Sequence, residues 1–165
     1  MTSEHLLHTI PPIYDGNSKI LILGSFPSVK SREVSFYYGH PQNRFWRVLA
    51  AVLGWAVPSS NEEKTALLQS HNIALWDVIK SCDIVGSSDS SIKNVVPNDI
   101  GAILSSCGIR QIYSNGKTSE KLFNKYIKDT VGRDTVALPS TSPANASYNL
   151  ERLTDSWSVI KNNIR

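Results

Sequence analysis

The run Lys19-Ile-Leu-Ile-Leu-Gly24 decides the fold. Four large apolar residues between a charge and a glycine are too few for a helix. They also lack the alternation of a strand with one wet face. They read as a strand buried on both sides, which belongs in a parallel sheet between layers of helices. Outward from it the pattern keeps alternating. Residues 43–53 place Phe45, Trp46, Leu49, Val52 and Leu53 at helical spacing, with Gly54 as the stop. Residues 61–70 open on a capping Asn61 and two glutamates, then offer Ala66, Leu67 and Leu68 for burial. Residues 73–79 read as a second strand, 97–107 as a helix begun by Pro97, and 109–113 as a strand. Residues 118–128 read as a helix, 135–138 as the last strand, and 148–161 as a helix with Leu150, Leu153, Trp157 and Ile160 on its stripe. The expected fold is α/β: three layers, α/β/α, with a mainly parallel central sheet of about four strands, in one domain over residues 1–165.

Composition agrees with a packed domain. The 165 residues are 41% hydrophobic and 19% charged, which excludes a disordered chain. Cys82 and Cys107 are the only cysteines, so a multi-disulfide scaffold, a four-cysteine zinc site and a four-cysteine iron–sulfur cluster are excluded within one chain. The four histidines (His5, His8, His40, His71) show no ligand spacing, and no metal or cofactor is expected. No apolar run reaches the length that crosses a bilayer, and the first residues lack the basic start and apolar stretch of a signal peptide. A cytoplasmic monomer is the expectation. The net charge of +3 permits a nucleic-acid partner without demanding one.

Ligands of such folds bind at the carboxyl ends of the parallel strands. The loop after the first strand, Gly24-Ser-Phe-Pro-Ser-Val-Lys-Ser31, nearly fits a phosphate-cradling loop, but Val29 stands where a second glycine is needed and Pro27 removes an N–H. The stretch SFYYGHPQNRFWR, from Ser35 to Arg47, sets three aromatics before a helix, and loop aromatics are natural platforms for a base. Asn43 sits where a helix cap is expected, and His40 before Pro41 suits a turn. The last strand runs into LPSTSPANAS, small and uncharged, which lets a backbone approach a phosphate closely.

Together these pieces resemble the uracil-DNA glycosylase superfamily. GSFPS takes the place of its first motif, YYGHPQNRFW looks like the F-x-H-P-x-N-R-F-W of its mismatch-specific branch, and LPSTSPANAS stands at its second motif. Phe26 occupies the position of the water-positioning Asn of the first motif, and Ser142 that of the second-motif His. The combination is similar to the hypoxanthine-DNA glycosylase branch, which implies excision of deaminated adenine from DNA. In that branch the Asn of the HPQN element, here Asn43, is important to catalysis.

What the resemblance implies can be set out residue by residue. The damaged base leaves the stack and lies between Phe26 and Tyr38, with Ser25 beside it. Asn43 bonds a ring nitrogen or oxygen of the base, or orients the attacking water. Asp77, in LWDVI, lies where relatives place a base-reading polar residue, and a buried cap or ion-pair role is open to it as well. Ser28, Ser140, Thr141, Ser142 and Asn145 hold the flanking phosphates through hydroxyls and backbone N–H groups, with Lys30, Lys93 and Arg44 as supporting charges. The rival readings are a mismatch-type uracil-DNA glycosylase, a lesion-sensing nucleic-acid module that does not cut, and a nucleotide- or flavin-binding α/β domain.

Overall fold

The computed structural model describes residues 2–165. The chain runs β1 (Glu4–Leu7), β2 (Ile20–Gly24), α1 (Val29–Val34), α2 (Phe45–Leu53), α3 (Asn61–Ser70), β3 (Ile73–Asp77), β4 (Ile79–Ile84), β5 (Lys93–Pro97), α4 (Ile100–Ser106), β6 (Gln111–Asn115), α5 (Lys117–Tyr126), α6 (Lys128–Val131), β7 (Thr135–Leu138) and α7 (Leu150–Trp157). Every residue of β2 is buried, and side-chain alternation divides them between two cores. Ile20 and Ile22 enter one, with Leu49 of α2, Leu67 of α3 and Trp157 of α7. Leu21 and Leu23 enter the other, with Ile100 and Ile103 of α4 and Phe123 of α5. A strand apolar on both faces thus forces helices onto both sides, and the order β3-β2-β6-β7 is parallel throughout. The three-layer fold read from the sequence is the fold observed.

A second, antiparallel sheet, ordered β1-β4-β5, was absent from the sequence reading. The single strand expected over 73–79 is two. The chain leaves the parallel sheet after Asp77 and enters the small sheet at Ile79, and the buried Asn98 pins the break by donating to Asp77 O at 2.9 Å and Ile79 O at 3.1 Å. Pro97 does not begin a helix. It closes β5, where a missing N–H costs nothing, and Asp99 caps α4 by accepting from Ala102 N at 3.2 Å.

Two other helix ends differ from expectation. Ser60, not Asn61, caps α3 by accepting from Glu63 N at 3.1 Å, while the Glu63 carboxylate reaches back one residue further and accepts from Ser59 N at 3.2 Å. The last helix gives way after Trp157 to a tighter turn over Ser158–Asn162, and Leu150 faces solvent while Leu153, Trp157 and Ile160 are buried.

Candidate active site

Each parallel strand ends at one rim of the sheet, and the loops that follow close a cavity of about 320 Å³ there. Its lining joins Gly24, Ser25, Phe26 and Ser28 after β2 with Tyr38, His40 and Asn43 before α2. Asp77 enters from the end of β3, Asn115 from the end of β6, and Ser140, Thr141 and Ser142 from the loop after β7. Nine of the residues singled out in the sequence therefore meet in one place. Lys30, Arg44, Lys93 and Asn145 do not. Lys30 is exposed and pairs with Glu33 at 3.5 Å, while Asn145 folds its own loop by donating to Ser140 O at 3.0 Å.

Asn43 is fixed by its neighbours. Its Oδ1 accepts from Phe45 N at 2.9 Å and from Thr141 Oγ1 at 2.9 Å. A backbone N–H can only donate, so the amide oxygen must face Phe45, and Nδ2 is left without a protein partner among the described residues. Asn43 thus does satisfy the start of α2, as a cap would, while keeping one donor over. Thr141 is held in turn by Asn115, whose Nδ2 donates to Thr141 Oγ1 at 3.0 Å and whose Oδ1 accepts from Thr141 N at 3.1 Å.

Arg44, expected as a supporting charge toward the DNA backbone, spends its guanidinium inside the protein. It donates to Ser142 O at 2.7 Å and Asn145 O at 3.1 Å, and also to Tyr148 O, while Arg44 N donates to Thr141 O at 3.0 Å. One charge gathers the carbonyls of the loop after β7, which has no strand or helix to satisfy them. The same loop turns several of its N–H groups inward. Ser142 N donates to Ser140 Oγ, Ala144 N to Ser142 Oγ, and Asn145 N to Ser142 O. The hydroxyls of Ser140 and Ser142 line the cavity and accept from these N–H groups, which leaves their hydrogens free to donate.

The aromatics are anchored. Tyr38 adopts φ 52°, the left-handed region that bulky residues rarely enter, and its ring stacks on Phe45 with centroids 4.0 Å apart. Burial first, and the Asp77 charge second, hold its phenol protonated well above the ordinary range. Phe26 packs against the core of the small sheet, under the Arg32 guanidinium at 5.7 Å.

Sequence reading missed His8. Its Nε2 lies 2.8 Å from Asp77 Oδ2, and both side chains are buried. An isolated histidine after an exposed strand carries no signal of a partner so distant in the chain. At the cavity's edge Asp89 is pushed above the usual carboxylate range by desolvation, against bonds from Thr118 and Ser25. It also borders a neighbouring groove lined by Lys93, Lys121 and Lys125.

A cavity walled by aromatics, amides and hydroxyls at the ends of parallel strands is where an α/β domain takes its ligand. Residues 11–162 match the pattern of the uracil DNA glycosylase superfamily, and the chain belongs to that superfamily. It is 36% identical over 137 residues to a hypoxanthine DNA glycosylase of Methanosarcina barkeri, covering 82% of this chain and 85% of that one. It is 34% identical over 152 residues to a hypoxanthine DNA glycosylase of Methanosarcina acetivorans, covering 91% and 94%. A solution NMR structure of a Methanosarcina acetivorans protein, provisionally assigned as a uracil DNA glycosylase, superposes with a TM-score of 0.79 at 33% identity, over 92% of this chain and 94% of that one.

Proposed function

We propose that the protein is a monofunctional DNA glycosylase that hydrolyses the N-glycosidic bond of deoxyinosine, releasing hypoxanthine and leaving an abasic site. It acts as a monomeric single domain in the cytoplasm, without a cofactor. The observation that carries this reading is the unspent amide donor of Asn43 on the cavity wall. Bond cleavage puts negative charge on the departing purine, and a fixed donor aimed at that charge stabilises the transition state more than the ground state. With its oxygen committed to Phe45 and Thr141, Asn43 serves the base or the incoming water as a donor.

Tyr38 and Phe26 contact the flipped base, Ser25 lies beside it, and Asp77 reads its edge. Ser140 and Ser142 meet the flanking phosphates by hydroxyls, and Ser28, whose hydroxyl caps α1 and donates to Ser31 Oγ at 3.1 Å, borders the same phosphates from the loop after β2. Thr141 and Asn145 act through the loop they shape, and Lys30 adds charge from the surface. The adjoining lysine groove extends the basic path, so affinity for duplex should fall with salt by about 0.9 in log–log slope per phosphate neutralised.

The test is duplex DNA carrying one deoxyinosine, incubated with the protein and no added metal or nucleotide. Release of hypoxanthine with an abasic site supports the reading. Tight lesion binding without release, or release only of uracil from a matched uracil duplex, overturns it.

A further inference from the structure

An acid–imidazole pair stands behind the cavity wall. β1 pairs with β4, and one residue beyond that pairing His8 N donates to Lys80 O at 2.7 Å. This delivers His8 to Asp77, with Nε2 to Oδ2 at 2.8 Å and side-chain exposures of 1% and 5%. Burying an acid and an imidazole costs several kcal/mol unless they are well paired. Packing alone gives no reason for an acid here, since the rings beside His8 are those of Phe26 and Tyr37.

With Oδ2 occupied, Oδ1 is the carboxylate's remaining acceptor. It lies so close to Gly24 that an added Cβ would sit 2.3 Å from it and 3.0 Å from Tyr38 Oη. An acceptor and a phenol hydroxyl therefore converge on one point of the cavity lining. Tyr38 Oη is also the one buried side-chain polar atom among the described residues that lacks a well-formed hydrogen bond: the Asn115 amide lies near it but is engaged at both ends by Thr141. Such atoms are rare in native proteins, and a ligand atom is one way to satisfy them.

We propose that His8 is a positioning residue that holds Asp77 by Oδ2, so that Oδ1 and Tyr38 Oη together read a lactam edge, an N–H beside a C=O. This rests on Asp77 meeting the base. Deamination of adenine creates that edge. Hypoxanthine offers a ring N–H to the carboxylate and a carbonyl to the phenol, whereas adenine turns a ring lone pair toward the carboxylate and an amino hydrogen toward the phenol. The tyrosine thus contributes its hydroxyl as well as its ring, one face of which is already covered by Phe45.

The experiment measures equilibrium binding to two duplexes with cleavage-resistant 2′-fluoroarabino nucleotides, one bearing hypoxanthine and one bearing unsubstituted purine, which has no lactam. Wild type should prefer hypoxanthine by about tenfold or more, as sites built to bond a polar group do. Tyr38→Phe, which keeps the stack on Phe45, and His8→Leu should each bring the preference close to one. His8→Gln, which returns an N–H to Asp77, should restore it.

The possible failures separate. If Asp77→Ala leaves the preference intact, the underlying reading of Asp77 is wrong. If Asp77→Ala abolishes it while His8→Leu keeps it, His8 does not position. Equal weakening of both duplexes by His8→Leu marks a merely structural histidine and overturns the proposal, as does a wild type without preference. Should His8→Leu not fold, Tyr38→Phe and His8→Gln decide on the same ratio.

Discussion

Thr141 donates its hydroxyl to Asn43 Oδ1 at 2.9 Å, the same oxygen that the Phe45 N–H holds at 2.9 Å, so both bonds keep the amide nitrogen of Asn43 toward the cavity. The loop after β7 thereby reinforces the polarity of a residue that precedes α2.

Asn43→Asp should separate the two roles of this side chain. A carboxylate keeps an oxygen for Phe45 N and Thr141 Oγ1, so the melting temperature should change little. It replaces the free donor with an acceptor, so single-turnover excision of hypoxanthine should fall by roughly 10²–10³-fold, the scale of losing one transition-state donor. Asn43→Ala should lose a similar rate together with ~0.5–2 kcal/mol of stability. An Asn43→Asp enzyme that cuts within a few-fold of wild type would return Asn43 to helix capping alone.

Arg44 should behave as a clamp rather than as a phosphate contact. Its guanidinium serves the carbonyls of Ser142, Asn145 and Tyr148. Arg44→Met should cost on the order of 2–3 kcal/mol, since bonds from a charged donor are among the stronger ones. In a domain of this size that lowers the melting temperature by roughly 5–10 °C. The slope of log affinity against log salt should stay as in wild type. A slope shallower by about one, with unchanged melting, would instead mark a direct phosphate contact.

Gly24 is held by what surrounds it. At Gly24→Ala the new methyl would meet Asp77 Oδ1 at 2.3 Å, and Asp77 cannot swing away without breaking its bond to His8. The substitution should cost about 1–3 kcal/mol as overpacking does, and discrimination for hypoxanthine should weaken with it. Melting and excision measured on the same preparation check both. Full activity would show that the carboxylate has room to move.

The parts legible in the sequence were those with a short-range pattern. Residues 20–24 could only be a doubly buried strand, and from it the parallel sheet and the location of the cavity followed. The aromatics and amides of residues 35–47 drew notice as a loop platform for a base, and the structure gives most of the aromatics to the core: Tyr37, Phe45 and Trp46 are buried there, with Phe36 and Tyr38 packed against them. β1 and β5 left no such trace. Three of the four residues of Glu4–Leu7 are exposed, and the strand is held by backbone pairing to β4, which hydropathy does not record. His8 and Arg44 were misjudged for one reason: their partners lie 69 and about a hundred positions away, so an isolated sequence shows only a histidine and a charge. The N–H groups of the loop after β7 were counted as phosphate donors because their internal acceptors, Ser140 Oγ and Ser142 Oγ, become visible only once the loop is folded.

The strand that carries His8 should respond to acid. Asp83, on β4, accepts from Asn94 Nδ2 of β5 at 2.6 Å and lies 2.7 Å from His5 Nδ1 of β1, so one carboxylate ties all three strands of the small sheet. The bond from Asn94 first, and that from His5 second, hold its carboxyl below the usual carboxylate range. A carboxyl lowered in the folded state adds stability above its unfolded pKa and loses it as pH falls through its folded pKa. β1 should therefore loosen at acidic pH, and the His8 N–H, bonded to Lys80 O at 2.7 Å, should exchange faster once corrected for the intrinsic rate at each pH. The amides of β2, buried between two cores, serve as the reference. In Asp83→Asn, His8 protection should already be reduced at neutral pH and should change little on acidification. Equal His8 protection in wild type and Asp83→Asn at neutral pH, or identical loss in both as pH falls, would show that Asp83 does not secure the strand.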